Sequence, residues 1–141
     1  MIRQVSVFLE NKEGRLYEVT ERLASEGIDL RALSVADTKD FGVLRLVVNH
    51  PDKALEVLKK EGYSVRFTDV VAVAIPDRPG GLAGVLRILH ENKLNIEYMY
   101  TLVSSMAGEA ILVMRFEDGK LAEKVLHKHG VRILEEREVV G

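Results

Sequence analysis

Gly14-Arg15-Leu16-Tyr17-Glu18-Val19-Thr20-Glu21-Arg22-Leu23 returns in outline as Gly80-Gly81-Leu82-Ala83-Gly84-Val85-Leu86-Arg87-Ile88-Leu89. Gly14 and Gly80, Leu16 and Leu82, Val19 and Val85, and Leu23 and Leu89 are each 66 positions apart. Upstream, Val5 and Val7 meet Val71 and Val73 at the same offset. Downstream, Gly42, Leu46 and Val47 meet Gly108, Leu112 and Val113, after which Leu58 and Gly62 match Leu126 and Gly130 at an offset of 68. This alignment places a two-residue insertion in a turn near Glu117 to Gly119. A self-similarity of this period signals a tandem repeat. Its 141 residues divide into units at 1–68 and 69–141.

Each unit reads in the same order. Gln4–Leu9 is rich in strand formers, and Glu10–Gly14 is a polar turn. Leu16, Val19, Thr20, Leu23 and Ala24 follow the i, i+3, i+4, i+7, i+8 rule of an amphipathic helix. Gly27 stands where a helix end favours positive φ. Strands are expected at Asp29–Asp37 and Gly42–Asn49, joined by a turn over Thr38–Phe41. Pro51 opens a second helix that stops at Gly62, and Tyr63–Thr68 is a fourth strand. The second unit gives strands at Val70–Ile75, Asn95–Ser104, Glu109–Phe116 and Val131–Val139, with helices through Leu82–Leu89 and Leu121–Leu126. The order βαββαβ, taken twice, is the ferredoxin-like motif of the α+β class. Helices apolar on one side imply antiparallel sheets with the helices on one face. With no linker between Thr68 and Val70, the reading joins them into one extended eight-stranded sheet.

Composition removes several functions. Twenty basic against 22 acidic residues leave a net charge of −2, with no basic excess for a polyphosphate backbone. The third strands are aliphatic and offer no base-stacking platform, so nucleic acid is not an expected partner. The absence of cysteine excludes thiolate nucleophiles, disulfides and cysteine-bound metal. No apolar run approaches the ~20 residues of a membrane span, so a cytoplasmic protein without a membrane partner is expected. His127 and His129 fall on nearly opposite faces of a helix and cannot share a metal. Ser104 and Ser105 lack a nucleophile elbow or a neighbouring base. No catalytic residue, metal site or cofactor is expected.

The turn before each first helix carries the chemistry. It reads Leu9-Glu10-Asn11-Lys12-Glu13-Gly14-Arg15-Leu16 in one unit and Ile75-Pro76-Asp77-Arg78-Pro79-Gly80-Gly81-Leu82 in the other. A glycine there lets a ligand approach the backbone, and the N–H groups of the helix start favour a carboxylate. Asn11 and Asp77 carry oxygens that can accept from an ammonium group. Together these describe a receptor for a free α-amino acid. The other reading gives Asn11 and Asp77 a role in shaping the turn and capping the helix. Tyr98 and Tyr100 share a strand face and either pack in the core or line an apolar pocket, while Asp37, Asp40 and Arg45 form either a polar subsite or a surface ion pair.

The turns, together with Gly27-Ile28-Asp29-Leu30 and Leu94-Asn95-Ile96, give the chain a resemblance to a tandem pair of ACT domains, small modules that sense amino acids. The second unit resembles the family more closely, since Glu13 and Asp29 replace a proline and an asparagine in the first. The resemblance implies ligand contacts at Asn11, Gly14, Arg15, Leu16, Asp29, Leu30, Asp77, Gly80, Gly81, Leu82, Asn95 and Ile96. It places the ligand between the turn of one module and the second-strand start of another. Side-by-side units would set Asn11 against Asn95 and Asp77 against Asp29, the second pair needing a cation between its carboxylates. Pairing with identical units of another chain would instead give each site one Asn and one Asp. The implied function is a non-catalytic, amino-acid-binding regulator, a homodimer that modulates a metabolic enzyme. A structural accessory subunit with vestigial sites is the alternative. An acylphosphatase-type enzyme shares the fold, but only Arg15 and Arg78 of that signature are present.

Overall fold

The computed structural model describes residues 1–37, 41–103 and 108–140. Asp40, Ser104 and Ser105, and most of the turn expected at Thr38–Phe41, lie outside the described residues. By contacts the chain divides into a unit of Arg3–Thr68 with Val140 and a unit of Asp69–Val139 with Met1–Ile2.

The first unit runs β1 (Ile2–Glu10), α1 (Arg15–Ser25), β2 (Leu30–Asp37), β3 (Phe41–Val48) and α2 (Pro51–Lys60), and then enters β4 (Ser64–Pro76). Its strand order is β2-β3-β1-β4. The second unit continues from β4 through α3 (Gly81–Glu91), β5 (Ile96–Thr101), β6 (Glu109–Phe116), α4 (Gly119–Lys128), β7 (Arg132–Leu134) and α5 (Glu136–Val140). Here β5 pairs β6, β6 pairs β4 and β4 pairs β7, all antiparallel. No described helix is long and apolar enough to cross a membrane.

Burial explains why both halves fold alike. On the helix side of the first unit, Val5, Val7, Leu9, Leu44, Leu46 and Val48 pack against Val19, Leu23, Ala54 and Leu58. The second unit sets Val71, Val73, Ile75, Leu112, Met114 and Phe116 against Val85, Leu89, Ala122 and Leu126. Every position has its counterpart, which is what alternating strands and one-sided helices require.

Three expectations are corrected. The strands expected at Tyr63–Thr68 and Val70–Ile75 are one strand, β4, so seven strands are described rather than eight. Nothing at Thr68-Asp69-Val70 breaks extended backbone, since neither glycine nor proline is present. The strand expected over Val131–Val139 shortens to β7, because Glu135-Glu136-Arg137-Glu138 loses the alternation of a strand and favours a helix. The insertion is also misplaced. Val5 pairs with Leu46 and Val71 with Met114, so β6 already runs 68 positions ahead of β3. The two extra residues therefore lie between β5 and β6, not near Glu117–Gly119. Gly42 and Gly108 are not equivalent.

Helix α5 starts with half of a capping box. The Glu138 carboxylate accepts from the Glu135 N–H at 2.7 Å, and the Glu138 N–H donates to the Glu135 carbonyl at 3.0 Å. The bond from the Glu135 N–H holds the Glu138 carboxyl below its ordinary range. A depressed carboxyl pKa stabilises the folded segment above the unfolded pKa, and the effect is lost as pH falls through the folded value. Amide-exchange protection of α5 is thus expected to drop as acidity rises past the ordinary carboxylate range. Glu138→Gln should weaken protection at neutral pH and remove the acid step; an unchanged step would refute the assignment.

Lys93 is the one non-glycine at positive φ among the described residues, at 57°. The first unit has Gly27 there, at 71°. Left-handed backbone costs an L-residue about 1–2 kcal/mol, partly offset by the greater unfolded-state freedom of glycine. Lys93→Gly is therefore expected to raise Tm slightly, by under ~1 kcal/mol of stability, in thermal melts of the unliganded chain.

Candidate functional site

The two turns are built alike, hydrogen bond by hydrogen bond. Lys12 N–H donates to the Glu10 carbonyl, Arg15 to Lys12, and Glu18 to Gly14. Arg78 donates to Pro76, Gly81 to Arg78, and Gly84 to Gly80, each bond displaced by 66 residues. The helix-capping glycines have almost the same backbone, φ 85° and ψ −11° at Gly14 and φ 85° and ψ −8° at Gly80. Neither capping glycine supplies a side-chain hydrogen bond, and the first N–H of each helix, of Arg15 and of Gly81, is taken by the turn's own carbonyl. The second turn winds tighter, because a Cβ on Gly81 would lie 2.1 Å from the Pro76 carbonyl oxygen. Asn11 and Asp77 are exposed, and Leu16 and Leu82 stand beside them, 41% and 38% exposed.

The second-strand starts differ more. Both carry an irregularity just inside the strand, between Leu30 and Ala32 and between Ile96 and Tyr98. In the first unit Asn49 Oδ1 accepts from the Asp29 N–H at 2.8 Å, and the Asn49 N–H donates to the Asp29 carbonyl at 3.2 Å. Arg31 Nη1 sits 3.2 Å from Asp29 Oδ2. The side chain of Asp29 thus has a cation in its own unit. In the second unit Asn95 is exposed and opens on a cavity of about 290 Å³ lined by Lys93, Leu94, Asn95, Glu97, Phe116, Glu117 and Asp118.

Turn and strand start occupy opposite ends of each unit. Glu10 pairs with Phe41 at one end of β3, and Leu30 pairs with Val48 at the other. At ~3.3 Å per residue the separation is roughly 23 Å. Asn11, Gly14, Arg15 and Leu16 are brought together, as are Asp29 and Leu30, but the two groups are not. The same holds for Asp77, Gly80, Gly81 and Leu82 against Asn95 and Ile96, since Pro76 pairs with Glu109 and Ile96 with Phe116.

Two features escaped the sequence reading. A cavity of about 480 Å³ beside the first turn is lined by Glu10, Arg15, Glu18, Glu61 and Tyr63, among others. Within it Arg15 Nη1 and the Tyr63 hydroxyl both donate to Glu18 Oε2, each at 3.2 Å. Burial and that bond push the Tyr63 hydroxyl up, and Glu18 raises the Arg15 guanidinium further. The second unit has Gly81, Gly84 and Val131 at these places, so only comparison of the repeats with the corrected offset could have shown it. The other feature is a buried polar ladder, Gln4 Nε2 to Ser6 Oγ to Thr68 Oγ1, both steps 2.9 Å, where the second unit has Val70 and Ala72. Tyr98 and Tyr100 stack at 6.5 Å between ring centroids with 18° between planes, and Tyr100 is buried. Among the described residues no three His, Asp or Glu side chains form a group that could hold a metal ion.

Comparison with known proteins agrees with this architecture. A family model for an ACT domain pair matches residues 1–141. No curated protein matches the chain. Protein BT0572 from Bacteroides thetaiotaomicron is similar in structure, at 42% identity and a TM-score of 0.92, over 99% of this chain and 95% of that one. The regulatory subunit of aspartate kinase from Thermus thermophilus, in a ligand-free form, shares the fold at 16% identity and a TM-score of 0.62, over 89% and 90% of the two chains. The Thermus flavus subunit does so at 17% identity and 0.58, with the same coverage. ACT pairs are regulatory rather than catalytic domains. With matched turns, matched cores and a family match along its whole length, the chain belongs to the ACT domain pair family.

Proposed function

We propose that this chain senses a free amino acid between ACT modules, taken as residues 1–68 and 69–141, and passes the binding state to a partner enzyme. The observation that carries the reading is the separation of the two half-sites to opposite ends of each unit. A ligand held by both a turn and a strand start needs two modules, so binding would couple to how modules associate. A homodimer acting in the cytoplasm belongs to the same reading, and β2 and β5, each with one neighbouring strand in its unit, offer edges for a second copy. The Asn11 and Asn95 amides make the better pair, able to donate and accept. The Asp77 and Asp29 pair is less dependent on an added cation than the sequence suggests, because Arg31 already faces Asp29.

A thermal-shift screen of the common amino acids tests the reading. A saturable rise with one or two of them is expected. Calorimetric titration should then show binding lost in Asn95→Ala; unchanged binding would overturn the site. No response to any amino acid would favour a structural accessory subunit.

A further inference from the structure

The second-strand starts of the two units differ in electrostatic character, one balanced within itself and the other net negative. In the first unit the end is internally satisfied, with Asn49 clamping the backbone of Asp29 and Arg31 facing its carboxylate. The corrected offset of 68 beyond β5 makes Glu117 the counterpart of Asn49, and Glu97 stands where Arg31 does. Gly27 is replaced by Lys93, held in left-handed backbone. Among the described residues the side chains of Lys93, Asn95 and Glu117 engage no hydrogen bond or ion pair. Asp118 is tied to the start of α4, where its Oδ1 accepts from the Leu121 N–H, and Glu97 Oε2 is 3.8 Å from Arg115 Nε. Three carboxylates, one ammonium and one amide thus share the lining of this cavity with Leu94 and Phe116. The volume, about 290 Å³, is at the small end of the ~300–1,000 Å³ range of ligand cavities.

We infer that this cavity selects an amino acid whose side chain is itself a cation: an amine, a guanidinium or an imidazolium. The inference rests on the proposed amino-acid-sensing function and names its ligand class. On the proposed function the ligand's carboxylate lies toward the turn of the facing module. Lys93 and the Asn95 amide N–H groups are the donors that this half-site adds to it. The ligand's ammonium needs one acceptor, which Asn95 Oδ1 offers. That leaves Glu117, with Glu97 and Asp118 beside it, facing a second positive charge. A cationic side chain gains a charge-assisted contact with Glu117 that a neutral side chain cannot make. Lys93 is the positioning residue whose ammonium is presented at the cost of a backbone better suited to glycine.

The test uses the full chain, with lysine, arginine and histidine as ligands and norleucine, citrulline and glutamate as controls. Thermal shift and calorimetry should show saturable binding of at least one basic amino acid, tenfold or more tighter than its neutral isostere. Glu117→Gln should weaken that binding at least tenfold. Lys93→Gly should raise the unliganded Tm yet weaken binding, a split that a merely structural role would not produce. If a neutral or acidic amino acid binds and the basic ones do not, the ligand class is wrong while the sensing function stands. If a basic amino acid binds equally well to Glu117→Gln and Lys93→Gly, the cavity is not its site. If no amino acid binds, the sensing function fails as well. Stabilisation by magnesium alone, lost in Glu117→Gln, would replace this inference with a cation site.

Discussion

Phe116→Ala is expected to lower stability by about 3–5 kcal/mol, the range for truncating a large buried aromatic. Phe116 is 1% exposed at the end of β6 and belongs to the helix-side core with Met114, Ala122 and Leu126. It also lines the cavity beside Asn95, so the hole left by truncation would open toward solvent on one side. Water or a shift of Leu94 could then relieve part of the loss, which argues for the lower half of the range. Phe116→Val, which installs the residue of the sister position Val48, should cost less because it leaves a smaller cavity. Equilibrium urea denaturation measures both. A loss under ~1 kcal/mol for the alanine variant would mean that this end of the core is not packed as described.

The next largest effect is expected at Gly81. A methyl group there would meet the Pro76 carbonyl oxygen at 2.1 Å, a backbone atom that cannot swing away. The turn must open, and overpacking of this kind costs about 1–3 kcal/mol. Neighbouring glycines supply internal controls of different physical origin. Gly80 has φ 85° and open space around its Cβ position, so Gly80→Ala should cost about 1–2 kcal/mol from backbone conformation alone. Gly84 lies inside α3 with nothing within 4 Å, so Gly84→Ala should stabilise by about 0.5–1 kcal/mol. Thermal melts of the three variants should therefore give two signs. A neutral Gly81→Ala would show that the turn has slack the geometry does not reveal.

The repeat, the element order and the core were all legible in the residues. Positions such as Val5, Val19 and Leu23 sit on the buried side because 2-residue and 3.6-residue periods leave no other choice. The offset was not legible beyond β5, for the same reason. A one-residue slip would have turned Leu112 to the wrong face, but a two-residue slip keeps every strand residue on its side. Leu112 therefore looked as good a partner for Leu46 as for Leu44, and only the pairing of Val7 with Leu44 and Val73 with Leu112 decides it. The end of the chain misled because Val131 and Val139 suggest a strand, whereas the charged stretch between them makes its own helix start. At the candidate site the turns were readable as glycine at a fixed place before a helix. The Asn95 cavity was not, since it depends on aligning Glu117 with Asn49, and that alignment had slipped.

The separation of turn and strand start also gives each module a polarity, like a tile with one plug and one socket. On the proposed function a ligand occupies one plug and one socket, so the number of complete sites records whether the array of modules is closed. A closed arrangement of any size yields as many sites as modules. An open row always yields one fewer, whatever its length. Titration stoichiometry per chain would therefore report the symmetry of the assembly directly: two ligands per chain for full closure, and fewer for any arrangement that leaves an end unfilled.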